Sequence, residues 1–229
     1  MVKSALSNQF DKHLSIIADE ISKFTQNSKS IILSSSFQTH SIPLLHIICN
    51  IDNTIPVYFL DTGYHFPETL QFKKEIEHFL NIKVIALQSK ITKQNQYDKN
   101  GFLLYAADTD LCCFYNKVMP MDELLNDSTV WISGLRKNQT TFRKGLSRIM
   151  KGAKGSLRYH PILEWTNKMI WEYQKLHNLP KHPLEAQGYL SIGCEPCTAK
   201  PNLVDIEREN RWQGLKKIEC GLHTELIKQ

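Results

Sequence analysis

Apolar residues recur every three or four positions in Leu6, Phe10, Leu14, Ile17, Ile21 and Phe24, which predicts one face of an amphipathic helix. Ser30-Ile31-Ile32-Leu33 follows as a short apolar strand running into the serines 34–36. Ile42, Leu44, Leu45, Ile47 and Ile48 predict a buried helix, with Pro43 in its first turn, where a missing N–H costs nothing. Val57-Tyr58-Phe59-Leu60 is a second buried strand, and a helix is expected over about Pro67 to Asn81. Val84-Ile85-Ala86-Leu87 and Val130-Trp131-Ile132 supply a third and a fourth strand, the latter ending in Ser133-Gly134-Leu135. Lys151-Gly152-Ala153-Lys154-Gly155 is expected to be an exposed loop, and Asn167 to His177 a helix. Strands alternating with helices imply an α/β fold: a mostly parallel twisted sheet with helices on both faces. The charged, weakly periodic end is expected to be a mobile C-terminal tail, so that residues 1–205 form one nucleotide-binding domain and 206–229 an appendage.

In such sheets ligands sit at the carboxyl ends of the strands. The serine cluster, Asp61-Thr62-Gly63 and Ser133-Gly134 are therefore expected to converge on one crevice. Ser34, Ser35 and Ser36 before a helix suit an anion, through hydroxyls and free N–H groups, although serines also simply cap helices. Asp61 is a candidate for a ribose or a plain turn residue. Gly134 allows a ligand close to the backbone, with Arg136, Lys137, Arg143 and Lys144 following. His40 and His65 are further crevice candidates, while Cys49 in its apolar helix reads as core.

Composition narrows the class. The 229 residues are 41% hydrophobic, ample for a core and incompatible with global disorder. No apolar run is long enough to cross a bilayer and no secretory pattern opens the chain, so the expected compartment is the cytoplasm. There, six cysteines are read as ligands or reactive thiols rather than structural disulfides. The net charge of +5 fits an anionic small substrate, but the basic residues form no stripe of the kind nucleic-acid binding needs.

The cysteines carry the strongest signal. Cys194 and Cys197 stand in Gly193-Cys194-Glu195-Pro196-Cys197, a turn that aims two sulfurs at one point. Such a pair serves a redox disulfide, a zinc ion or an iron–sulfur cluster. Adjacent Cys112 and Cys113 bring the thiols to four, enough for a tetrahedral metal or a four-iron cluster. Cys220, in Glu219-Cys220-Gly221-Leu222-His223, is left for chemistry, with Lys216, Lys217 and His223 near it to lower its pKa.

Several phrases resemble the sulfonucleotide reductases: Phe59-Leu60-Asp61-Thr62-Gly63 with Pro67-Glu68-Thr69, Cys112-Cys113 with Lys117-Val118-x-Pro120, and Trp131-x-x-Gly134-x-Arg136 with Gln139. Gly188-Tyr189-x-Ser191-Ile192-Gly193-Cys194-x-Pro196-Cys197-Thr198 and Glu219-Cys220-Gly221-Leu222-His223 continue the likeness, which runs in order from about Ser30 to His223. Both cysteine pairs resemble the branch that reduces adenylyl sulfate rather than phosphoadenylyl sulfate. The loop Ser34-Ser35-Ser36-Phe37-Gln38-Thr39-His40 departs from related enzymes in lacking a glycine, and the segment from Arg211 to Cys220 is short.

The resemblance implies an adenine-nucleotide α-hydrolase-like fold and a [4Fe–4S] cluster on Cys112, Cys113, Cys194 and Cys197. It implies a thioredoxin-dependent adenylyl-sulfate reductase of sulfate assimilation, in which Cys220 attacks the sulfate sulfur, AMP leaves and an S-sulfocysteine forms. Reduced thioredoxin, or a glutaredoxin, then releases sulfite. With no thioredoxin-like domain in the chain, the reductant is expected to be a separate protein, and a homo-oligomer is compatible. Implied substrate contacts are Ser34, Ser35, Ser36, Leu60, Asp61, Lys117, Gly134, Arg136, Arg143, Arg208, Arg211 and His223. The rival readings are the same chemistry on phosphoadenylyl sulfate, a zinc-bearing thiolating or adenylating enzyme, and a non-catalytic metal or redox sensor that leaves Cys220 without a role.

Overall fold

The computed structural model describes residues 2–201, 211, 212, 217 and 219–223, with the side chains of 2–9 left aside. A long helix α1 (Val2–Gln26) leads into β1 (Ser30–Ser34), α2 (Ile42–Ile51), β2 (Val57–Leu60), α3 (Pro67–Leu80) and β3 (Val84–Leu87). Short helices α4 (Leu104–Ala107), α5 (Thr109–Cys113) and α6 (Met119–Asp122) precede β4 (Thr129–Ile132). The chain continues through β5 (Ile149–Lys151), β6 (Leu157–Tyr159), α7 (Asn167–Leu176) and α8 (Pro183–Ala186). The helix ends follow local chemistry. Pro67 starts α3 and Asn81 closes it in the left-handed region at φ 50°, while the Thr166 hydroxyl caps α7 by accepting from the Met169 N–H.

One sheet of six strands, in the order β3-β2-β1-β4-β6-β5, organises the domain. All neighbours are parallel except the β5–β6 pair, which is antiparallel. The central strand β4 is buried along its whole length, whereas the edge strand β3 is half exposed. This is the apolar pattern expected of parallel strands covered on both faces. On one face, Phe10, Ile17, Ile42, Leu45, Ile48, Phe72, Ile76 and Tyr173, from α1, α2, α3 and α7, pack on Leu33, Phe59, Val130 and Ile132. Met121, Leu125 and Leu222 cover Ile32 and Trp131 on the other.

Four expected strands become six. Residues 149–159 fold back as a hairpin, so the loop over 151–155 is the turn between β5 and β6 and Lys151 belongs to a strand. The signal there was weak because both strands are three residues long and each carries a basic residue. From β1 the order runs outward to β2 and β3, then returns across β1 to β4. The switch point lies between β1 and β4, where this architecture opens a crevice.

Candidate active site

The loop leaving β1 forms the floor of that crevice. Ser34, Ser35 and Ser36 line it, together with Gln38, His40 and Ser41 before α2. The absence of a glycine is met by Phe37, which takes φ 54° with its ring wholly buried against Phe59 at 5.6 Å. A left-handed non-glycine residue costs about 1–2 kcal/mol, here offset by burial of an aromatic ring. The Ser35 hydroxyl supports the bend by accepting from the Phe37 N–H at 3.1 Å. Ser34 accepts from the Trp131 indole at 2.7 Å, which ties β1 to β4 below the opening.

The second wall carries the cysteines. α5 ends on Cys112 and Cys113 and passes directly into one π-helical turn, Phe114–Val118, of a kind often found at functional sites. Asn116 in this turn donates to the Cys112 carbonyl at 2.9 Å, and its amide lies 3.6 Å from the Cys112 sulfur. Cys194 approaches the end of β2, where the Thr62 hydroxyl sits 3.2 Å from its sulfur. Burial, and then the neighbouring Cys194, push the Cys112 thiol up. Beside these sulfurs the Tyr64 hydroxyl is buried with no hydrogen-bond partner among the described residues, and Lys93 lies 3.3 Å above the Tyr64 ring. Among the described residues, no group of three or more His, Cys, Asp or Glu side chains converges as a single metal ion requires.

The third wall is the described part of the C-terminal segment. Cys220 lines the crevice with its sulfur 3.7 Å from the Lys117 Nζ. A hydrogen bond from the Cys113 thiol holds the Cys220 thiol well below its ordinary range against the effect of burial, and the Lys117 ammonium adds to it. Burial opposes charge on Lys117, but the sulfurs of Cys194, Cys220 and Cys113 hold its ammonium well above the usual value. Glycines permit these approaches. A Cβ at Gly221 would stand 2.6 Å from the Cys113 Cβ, and one at Gly193 would run into the Arg211 guanidinium. Arg211 donates to the Cys197 carbonyl at 3.1 Å, so it bridges the Cys194–Cys197 turn and the tail.

Two buried arginines seat this segment. Arg143 makes a fork with Glu219, Nε to Oε2 at 2.8 Å and Nη2 to Oε1 at 2.6 Å, and the side chains are 4% and 1% exposed. Arg158 in β6 donates to the His223 Nδ1 at 2.8 Å and lies 3.6 Å above the Trp131 ring.

The model for the phosphoadenosine phosphosulfate reductase domain matches residues 30–200. The chain belongs to this reductase family. It is 38% identical over 202 residues to an adenosine 5'-phosphosulfate reductase of Bacillus cytotoxicus, covering 87% of this chain and 86% of that protein. A reductase of the same name from Bacillus cereus strain Q1 is 36% identical over the same shares. Among solved structures, the phosphoadenylyl-sulfate reductase of Candida auris superposes with a TM-score of 0.63 at 19% identity, covering 80% of this chain and 95% of that one. An NH3-dependent NAD synthetase from Campylobacter jejuni gives 0.52 at 13% identity over 74% of each chain, a likeness of fold.

In this member of the reductase family, Ser34, Ser35, Ser36, Leu60, Lys117, Gly134, Arg143, Arg211, Cys194, Cys220 and His223 line one crevice, as do His40 and His65. Asp61 and Arg136 are not among the lining residues. The Asp61 carboxylate closes its own turn, accepting from the Gly63 N–H at 3.1 Å and the Gln88 amide at 2.8 Å. Arg136 is buried and its Nη1 donates to Asn138 and Asn167 at 3.1 and 2.6 Å. A strand-end carboxylate and a post-glycine arginine look alike in sequence whether they face a ligand or brace a loop. Arg208 lies outside the described residues. Sequence reasoning overlooked Tyr64, Lys93, Arg158 and the partner of Glu219. The available signals were a charged residue inside a strand, in Leu157-Arg158-Tyr159, and a carboxylate beside the candidate nucleophile.

Proposed function

We propose that the chain reduces adenylyl sulfate to sulfite and AMP, through a sulfo group carried on Cys220. The carrying observation is the Cys220 sulfur 3.7 Å from the ammonium of half-buried Lys117, in the crevice lined by the serine loop. The Cys220 thiolate attacks the sulfate sulfur, the S–S bond forms as the bond to the phosphate oxygen breaks, and AMP leaves with the electron pair. A dithiol reductant, thioredoxin or glutaredoxin in the cytoplasm, then attacks the Cys220 sulfur. Sulfite departs, and the second thiol of the reductant resolves the mixed disulfide. Lys117 and Arg211 offset the charge of the nucleotide, with Arg208 as their expected companion. Relatives named adenosine 5'-phosphosulfate reductase favour the substrate without a 3′-phosphate.

Cys112, Cys113, Cys194 and Cys197 would hold a [4Fe–4S] cluster, and the residues present fit one. The four thiols are unpaired by disulfides, and a buried tyrosine hydroxyl beside them awaits an acceptor. When bound, the cluster would supply order and a fixed field rather than electrons. With Cys113 ligated it no longer donates to Cys220, and Lys117, the Leu222 N–H and Arg211 remain to hold the thiolate.

Sulfite and AMP release, measured with adenylyl sulfate and with phosphoadenylyl sulfate in the presence of thioredoxin, tests the reading. Cys220→Ser is expected to lower turnover by about 10⁴-fold or more, the scale seen when a covalent nucleophile is lost. A variant that kept turning over would remove the covalent route, and preference for phosphoadenylyl sulfate would reassign the substrate. Protein purified without oxygen should carry about four iron and four sulfide per chain.

A further inference from the structure

His223 lines the crevice two residues beyond a glycine and three beyond Cys220, and its Nδ1 is engaged from the sheet. The Arg158 Nη2 lies 2.8 Å from the His223 Nδ1. A guanidinium carries only donors, so this contact is a hydrogen bond only if Nδ1 accepts. A neutral imidazole that accepts at Nδ1 carries its proton on Nε2. Arg158 is itself fixed: it is fully buried in β6, and its guanidinium stacks 3.6 Å from the Trp131 ring centroid. Trp131 in turn donates to Ser34 at 2.7 Å. One rigid chain of side chains therefore runs from the serine loop to the histidine beside the nucleophile.

We infer that Arg158 is a positioning residue that sets the His223 tautomer, so that the ring presents an Nε2–H donor to the anionic substrate in the crevice. The kinetic part of this inference rests on the proposed reductase activity. The donor faces negative charge without itself becoming an imidazolium. As the S–O bond breaks, the electron pair settles on the phosphate oxygen of AMP, and a donor already in place lowers the cost of that charge. No proton is transferred: AMP leaves as the phosphate anion and His223 stays neutral. Because the arginine sits in the sheet and the histidine on the tail, the same bond aligns the tail with the serine loop.

The test has two readouts. In protein labelled with 15N-histidine, the His223 pair of nitrogen resonances, identified by its loss in His223→Gln, should show Nε2 protonated and Nδ1 bare at neutral pH. In Arg158→Met the pair should move to a mixture of tautomers. Single-turnover AMP release should slow about 100-fold in Arg158→Met, the size of losing one preorganised donor, while affinity for adenosine, which lacks the phosphate, changes little. Arg158→Lys, which still donates, should restore the tautomer and part of the rate. A wild-type His223 protonated on Nδ1, or on both nitrogens, would overturn the assignment. So would a folded Arg158→Met that releases AMP at the wild-type rate, or a loss that Lys does not rescue in either readout. If the tautomer is as stated but the wild type releases no AMP from adenylyl sulfate, the proposed activity fails and the assignment of the tautomer stands.

Discussion

The two sides of the crevice are built by different physics. The sheet side rests on Leu33, Ile48, Phe59, Val130 and Ile132, apolar side chains held by burial against α1, α2, α3 and α7. The side formed by the tail and the cysteine turns rests on the Arg143–Glu219 fork, the Arg158–His223 bond, the Arg211 bridge and two glycine-permitted approaches. Apolar burial is non-directional and tolerant, whereas a buried ion pair is stringent, because losing one partner strands the other's charge. Scaffold and chemistry are thus separated: the sheet supplies stability, and polar contacts aim Cys220.

Breaking the polar side should cost most. Glu219→Ala leaves the Arg143 guanidinium buried without its fork, worth about 3–5 kcal/mol. The loss should fall on seating of the tail, read as faster proteolysis after residue 200 and collapsed turnover, with the thermal midpoint of the sheet little changed. The complementary break is Ile48→Ala, at a position with no exposed surface. It should cost about 2–5 kcal/mol of global stability by denaturant titration while sparing the rate per folded molecule. Equal effects of the two on both readouts would erase the distinction.

Gly221→Ala sharpens the contrast at a single atom. Its Cβ would meet that of Cys113 at 2.6 Å, so overpacking of about 1–3 kcal/mol should push Cys220 away from Lys117 and slow AMP release. Lys117→Met should have the smallest effect, about tenfold near neutral pH, the scale of one ion contact in a partly wet crevice. Its sign is diagnostic. With Cys113 given over to the proposed cluster, the Lys117 charge is the nearest of the contacts left to hold the Cys220 pKa down, so a Cys220 thiolate should persist below the ordinary thiol range. Removing the lysine raises that pKa, so the rate should fall at neutral pH and recover as pH rises. A loss that did not recover under alkaline conditions would mean that Lys117 acts only on the substrate.

The same division explains what the sequence disclosed. The apolar periods of α1, α2 and β1 to β4 were legible because burial imposes a repeat, and the crevice followed from the rule that ligands sit at the carboxyl ends of parallel strands. The β5–β6 hairpin was not, since three-residue strands carrying Lys151 and Arg158 leave no repeat. That Cys220, Lys117 and Arg211 share one crevice was legible from their phrases. The roles of Glu219 and Arg158 were not, because an ion pair 76 residues apart and a hydrogen bond 65 residues apart exist only once the chain has folded. The turn and loop contacts of Asp61 and Arg136 were hidden for the same reason: local sequence gives a residue's type, and only packing shows what it touches.

The most direct test of the account is the intact mass of the protein after mixing with adenylyl sulfate in the absence of any reductant. One added sulfo group per chain, located on Cys220 by peptide mapping, absent from Cys220→Ser and discharged as sulfite by thioredoxin, is the predicted result. Turnover with reductant present, but with an unmodified Cys220 at every time sampled in its absence, would contradict it.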